Sequence, residues 1–245
     1  MDPSLLILVV AGLWAGAQNA LAGGGSFVTL PALMLAGLDA RAANITSTVA
    51  LFAGQITSGL ANRHMVEGTA ALSFRGLVVL SFCGSILGAA LLLLTPAPTF
   101  AAMLPWLVLA ATGLFALGAF GPKPKPGRMP GWASAGTQFA IGIYGGYFGG
   151  GMGFVMLATL TLAGMAIRAA NATKNVLTAV MNTVAALVFA FSGVVAWWQA
   201  LVLGSAAMIG GWFGARAIRV VPERALKLFV VTVGLALFAG LLLRG

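Results

Sequence analysis

Five side chains that could do chemistry recur along one short stretch. Asn171, Lys174, Asn175, Thr178 and Asn182 follow one another at three- and four-residue steps or beside them, the spacing that lines up residues on one side of an α-helix. Amides and hydroxyls donate hydrogen bonds and an ammonium supplies positive charge, so the set suits an anion. An earlier stretch offers Asn44, Ser47, Thr48 and Gln55. It has the donors but a serine where the later one has Lys174. Taken singly, such residues also serve as hydrogen bonds between packed helices, and a lysine can reach the membrane interface along its own stem. Taken as a face in an apolar chain, they are read as the lining of a substrate path. Lys174 is the ionisable side chain placed well inside a segment, whereas Arg41 and Arg168 read equally well as interfacial anchors.

The acids point the same way by their positions. Asp2, Asp39, Glu67 and Glu223 all fall in expected loops or termini, which leaves no interior carboxylate to neutralise a cation or relay a proton. His64, the single histidine, falls in a loop. Cys83, the single cysteine, can form neither an intrachain disulfide nor a zinc site. No Walker A run, metal constellation or nucleophile triad can be assembled. The inventory therefore suggests no enzyme, no metal and no cofactor, and a driving force other than ATP hydrolysed by this chain.

Glycines supply the second kind of candidate. The clusters at residues 23–25 and 149–151 each precede an apolar segment too short for a comfortable crossing, 26–38 and 152–165. A helix broken there leaves backbone groups that lipid cannot satisfy, so they must face protein or a polar cavity. The helix that restarts presents its positive end, which favours anions. Gly24, Gly25 and Ser26 in the first half, and Gly150, Gly151 and Gly153 in the second, are the expected backbone contacts. Gly84, Gly88, Gly210 and Gly214 read instead as close helix packing.

These residues must be positioned by membrane-spanning helices. The chain has 245 residues, 60% hydrophobic and 7% charged, against about 25% charged in a soluble domain; its mean hydropathy is +1.04. Ten segments are expected, at 4–22, 26–38, 42–62, 70–94, 100–120, 132–148, 152–165, 169–193, 196–217 and 224–243. The first is read as a retained span because no basic region precedes it. Trp197 and Trp198 read as interfacial anchors.

The two clusters belong to an internal repeat. Residues 22–46 align without a gap on 149–173, with identities that include Gly24/Gly151, Phe27/Phe154, Gly37/Gly164, Arg41/Arg168, Asn44/Asn171 and Thr46/Thr173. The expected domains are a first five-helix repeat at 1–120, a cytoplasmic Pro/Lys linker at 121–131 and a second repeat at 132–245. Five crossings per half would invert one repeat relative to the other. Loop charge agrees: Arg63 and Arg75 flank a loop whose counterpart near 190–197 has no Lys or Arg, while Arg216, Arg219, Arg224 and Lys227 lie opposite an uncharged 95–100. The positive-inside rule then puts the linker and the 216–227 loop in the cytoplasm and both termini outside, with Arg41 and Arg244 as exceptions. On this reading the net charge of +9 reflects cytoplasmic loops and not nucleic-acid binding. A rival count folds each short segment into a re-entrant hairpin.

The fold class is therefore an all-α polytopic membrane protein, built as two inverted repeats with short glycine-broken helices, a plan that points to a secondary transporter. The run GGGSFVTLP at 23–31 followed by ANITSTV at 43–49, and GGYFGGG at 145–151 followed by RAANATKN at 168–175, resemble the sulfite exporter TauE/SafE family. The likeness covers nearly the whole chain. It implies a bacterial inner-membrane protein that exports sulfite, organic sulfonates or related sulfur-containing anions. The residues themselves reach only as far as a small anion as partner, besides the lipid bilayer. Another substrate, uptake in place of export, or a non-transporting assembly subunit stay open at this point, as do the coupling ion and the oligomeric state.

Overall fold

The computed structural model describes every residue except 1–2, 22–23, 62, 123–128, 218–222 and 245. Most of the linker expected at 121–131 thus lies outside the described residues. The rest forms ten α-helices: α1 (Pro3–Leu21), α2 (Ser26–Leu35), α3 (Ala40–Ala61), α4 (Phe74–Leu94), α5 (Ala97–Phe120), α6 (Gly131–Tyr147), α7 (Met152–Leu162), α8 (Ile167–Ala190), α9 (Trp197–Ala217) and α10 (Glu223–Arg244), with a 3-10 turn at Arg63–Met65. Each expected segment is met by one helix. Among the described residues three helices, α4, α5 and α8, are long and apolar enough to cross a bilayer. Large apolar side chains such as Leu6, Val10, Val79, Trp106 and Phe213 are exposed, as a lipid-facing surface requires.

The short helices α2 and α7 have 10 and 11 residues, so each reaches only about half the roughly 30 Å of hydrocarbon. Their ends match residue for residue. Gly24 and Gly151 adopt left-handed φ of 83° and 72° just before them, and Gly37 and Gly164 adopt 95° and 99° just after. At the far end of α2, Leu38 N–H donates to Leu33 O and Gly37 N–H to Met34 O; at the far end of α7, Met165 donates to Leu160 O and Gly164 to Thr161 O. This is the Schellman pattern written twice. The repeated glycines are there because no other residue takes these backbone angles without strain.

Helix neighbours alternate between the halves of the sequence. α1 packs on α9, α4 on α6, α5 on α10, and α3 crosses α8 at the centre. Thr46 at the start of α3 accepts from Ala196 N–H just beyond α8, and Thr173 at the start of α8 bonds both backbone groups of Glu67 beyond α3. The two central helices therefore run antiparallel. Asp39 caps α3 by accepting from Arg41 and Ala42 N–H, and the Arg41 guanidinium donates to Leu93 O and Thr95 O at the end of α4.

Glycine makes the outer contacts close. On α4, Ser81, Gly84, Ser85 and Gly88 form one buried face against Gly142 and Gly146 of α6. Gln138 Nε2 donates to Ser81 Oγ at 2.8 Å, and Ser85 Oγ to Met181 O at 2.7 Å. Gly12 and Gly16 of α1 meet Leu203 and Ala207 of α9, and Gly210 meets Leu13. The packing role expected of Gly84, Gly88 and Gly210 is thus what the contacts show; the surroundings of Gly214 lie outside the described residues. A β-carbon at Gly88 would collide with Ile143 O, whereas one at Gly113 would meet nothing within 4 Å. Gly88→Val is expected to destabilise the protein by about 3 kcal/mol or more, read as a lower melting temperature in detergent, while Gly113→Val stays close to the parent.

Candidate functional site

The second glycine break is where the candidate side chains gather. The chain leaves α6 at Tyr147, turns through Gly149 at φ 78° and Gly151 at φ 72°, and restarts as α7. No side chain caps this restart; Phe154 N–H donates to Gly151 O, and the N–H groups ahead of it lack the usual side-chain acceptor. Helix α8 lies alongside. The δ-carbon of Lys174 is 3.7 Å from where a β-carbon on Gly153 would stand, and Asn182 Oδ1 is 4.0 Å from the same point on Gly149. Lys174 and Asn182 thus bracket the break from one face of α8. Thr178 lies between them on that face, and its Oγ1 is buried with no hydrogen-bond partner.

Other residues hold the turn in shape. The Tyr144 hydroxyl donates to Gly150 O. Asn44 is buried, and its Nδ2 donates to Tyr147 O at 3.2 Å, so an amide from the first half fixes the entry to the break in the second. Tyr147 OH donates in turn to Thr95 Oγ1, next to the carbonyl that Arg41 holds. Gly151 abuts α5, where an added β-carbon would be 2.8 Å from Ala111 O. Thr48 is half-buried and donates back to Asn44 O.

The first break is built differently. Gly25 N–H donates to Asn19 Oδ1 at 2.8 Å, and Gln18 Nε2 donates to Gly24 O at 3.0 Å. Two amides at the end of α1 therefore bond the backbone expected to meet substrate. Gly24 leans on Val230 of α10. Ser26, half-buried, begins α2, and α2 is tied to α3 by the Thr29–Ser47 hydroxyl pair at 2.6 Å. At the positions of the second half equivalent to Gln18 and Asn19 stand Gly145 and Gly146, which offer no such amide.

Of the thirteen residues expected at the site, Gly150, Gly151, Gly153, Lys174 and Asn182 come together at the second break, with Asn44 supporting it. Thr48 contacts it only through Asn44. Asn175 is half-buried one position round the helix from Lys174, and Asn171 is exposed near the start of α8. Gly24, Gly25 and Ser26 form the separate first break. The side chain of Gln55 lies outside the described residues. Gln18, Asn19, Tyr144 and Tyr147 were missed from the sequence, although paired amides directly before a glycine cluster were a visible signal.

A cation beside the N-terminus of a helix is electrostatically unfavourable by itself, since both are positive. Lys174 and the start of α7 become favourable neighbours when negative charge sits between them. The arrangement can hold a small oxyanion with charge from one side and backbone donors from the other. Apolar grooves of about 530 Å³ between α1 and α9 and about 460 Å³ between α1 and α2 take no part in it.

A family model described as sulfite exporter TauE/SafE matches residues 8–241. The chain is 32% identical to probable membrane transporter protein ORF9 of Sinorhizobium sp, over 97% of this chain and 92% of that protein. It is 30% identical to probable membrane transporter protein YfcA of Escherichia coli (strain K12), over 99% and 91%. A probable membrane transporter protein of Haemophilus influenzae is 28% identical over 93% and 90%.

Proposed function

Because the chain belongs to the sulfite exporter TauE/SafE family of membrane transporters, we propose that it exports small sulfur-containing anions, sulfite or organic sulfonates, across a bacterial inner membrane by alternating access. The observation that carries this reading is Lys174 lying against Gly153 at the positive end of α7. Lys174 supplies charge, the backbone N–H groups of Gly151, Met152 and Gly153 meet anionic oxygens, and Asn175 and Asn182 supply amides. Asn44 and Tyr144 hold the turn. On this reading the protein is a carrier and not an enzyme.

Two inverted five-helix repeats are part of the proposal. The antiparallel crossing of α3 and α8 and the matched ends of α2 and α7 support it. Inversion explains why the third helix of each half anchors a loop of the other. Since α1 packs on α9 and α6 on α4, neither sequence half can rock as a unit. The moving parts are the half-length helices and their neighbours.

The test is a ligand panel on purified protein followed by flux in proteoliposomes. Sulfite, sulfoacetate and taurine are expected to raise the melting temperature, and acetate and succinate to leave it unchanged. Labelled substrate should cross only in vesicles that contain the protein. A carboxylate-only shift would replace the substrate class. No flux of any anion with folded protein would favour an assembly subunit, and vesicles of fixed orientation would separate export from uptake.

A further inference from the structure

The face of α8 that meets the second break contains one group that the protein leaves unsatisfied. Thr178 Oγ1 is buried with no hydrogen-bond partner. A threonine in a helix has an acceptor at hand in the carbonyl four residues back, and Thr48 in this protein uses it. Thr178 does not use the equivalent carbonyl of Lys174. Its neighbours on the face are placed by independent contacts, Lys174 at Gly153 and Asn182 at Gly149. A residue one turn from each shares that face of α8.

We propose that the Thr178 hydroxyl is a substrate donor that reads the third oxygen of a pyramidal sulfur oxyanion. This rests on the reading that substrate binds at the second break. Three kinds of donor converge there from different directions: the Lys174 ammonium, the first-turn N–H groups of α7, and the Thr178 hydroxyl between Lys174 and Asn182. A sulfite or sulfonate head has three oxygens on one sulfur and can engage all three. A carboxylate has two oxygens in one plane and leaves a donor unmet, and leaving a buried donor unmet is the strongest basis for rejecting a ligand. Since the hydroxyl is closed off from solvent here, substrate reaches it only after a helix packed on α8 shifts away. Thr178 therefore links selectivity to the motion.

The inference extends to the difference between the halves. Position 51, the repeat counterpart of Thr178, is a buried leucine, and Asn19 Oδ1 already occupies the Gly25 N–H at the first break. The first break carries an internal carboxamide where the second takes an anion, so each protein binds one substrate.

The experiment compares Thr178→Val and Thr178→Ser with the parent. Valine keeps the shape and removes the hydroxyl. Removing a buried hydroxyl without a partner is expected to raise the melting temperature of the ligand-free protein. The same variant is expected to bind sulfite about tenfold or more weakly, and to lose discrimination between methanesulfonate and acetate. Thr178→Ser is expected to restore sulfite binding. A hydroxyl with a purely structural role would give the reverse, a lower melting temperature with unchanged affinity, and that result overturns the proposal. So does a Thr178→Val protein that binds and discriminates like the parent. If the parent itself binds no sulfur oxyanion, the reading of function fails first, and that outcome is scored on the parent alone.

Discussion

Lys174→Ala is expected to reduce sulfite affinity by about tenfold to a hundredfold, the effect of losing one charge-assisted hydrogen bond, and to lower flux in proportion. The argument is electrostatic. The Lys174 stem lies against Gly153 at the positive start of α7, and of the acids among the described residues Asp39 and Glu67 lie in loops while Glu223 begins α10. On the proposed function, an anion is the negative partner. Removing the lysine leaves only the helix end, which contributes about 0.3–1 kcal/mol at an exposed site and more when partly buried. Lys174→Arg keeps the charge and is expected to retain part of the affinity. Isothermal titration with sulfite at fixed ionic strength reads the difference. Equal affinity in Lys174→Ala would reassign the residue as an interfacial anchor whose ammonium extends away from the break.

Gly151→Val should abolish flux with the protein still inserted. Two separate penalties apply. The backbone is left-handed at φ 72°, which costs a residue with a β-carbon about 1–2 kcal/mol and a β-branched one more. The new β-carbon would also stand 2.8 Å from Ala111 O, so α7 must leave α5. Gly153→Ala is the matched control, because its β-carbon would meet only the flexible Lys174 stem at 3.7 Å. It is expected to fold normally and to perturb binding alone. Transport at parental rate in Gly151→Val would show that the break is dispensable.

The sequence carried the helices well and the site in part. Ten helices were legible because lipid requires every backbone group to be satisfied within its own segment, so apolar runs and breakers mark the ends. The left-handed turns at Gly24/Gly151 and Gly37/Gly164 were legible through the repeat. The site was harder because helical spacing puts residues on a face but does not say what the face meets. Asn171 and Asn182 share a stripe, yet Asn171 is exposed and Asn182 buried. Equal motifs also concealed unequal uses. Gly24 and Gly151 match in sequence and in φ, but the first is bonded by Gln18 from α1 and the second abuts α5. That difference arises from Gln18 and Asn19, amides just outside the repeated motif whose counterparts are Gly145 and Gly146. Asn44 was expected to donate to substrate, and its amide instead donates to Tyr147 O at the entry to the second break, a contact between halves that no local pattern contains.

The interleaving of the halves constrains how the molecule can be made. Gly12 and Gly16 in α1 meet α9, and the α4 face of Gly84 and Gly88 meets α6 and, through Ser85, α8. A nascent chain that has delivered its first five helices into the membrane therefore holds two close-packing faces with nothing against them. These cannot close until the second half arrives. Contacts so distant along the chain form slowly, and a half chain would lack the helices that close these faces. Translation stopped at the linker would yield a fragment with its tightest surfaces open to lipid and to other chains, a ready substrate for membrane quality control. The two similar halves, whose helix faces pair across the sequence, are thus expected to mature together.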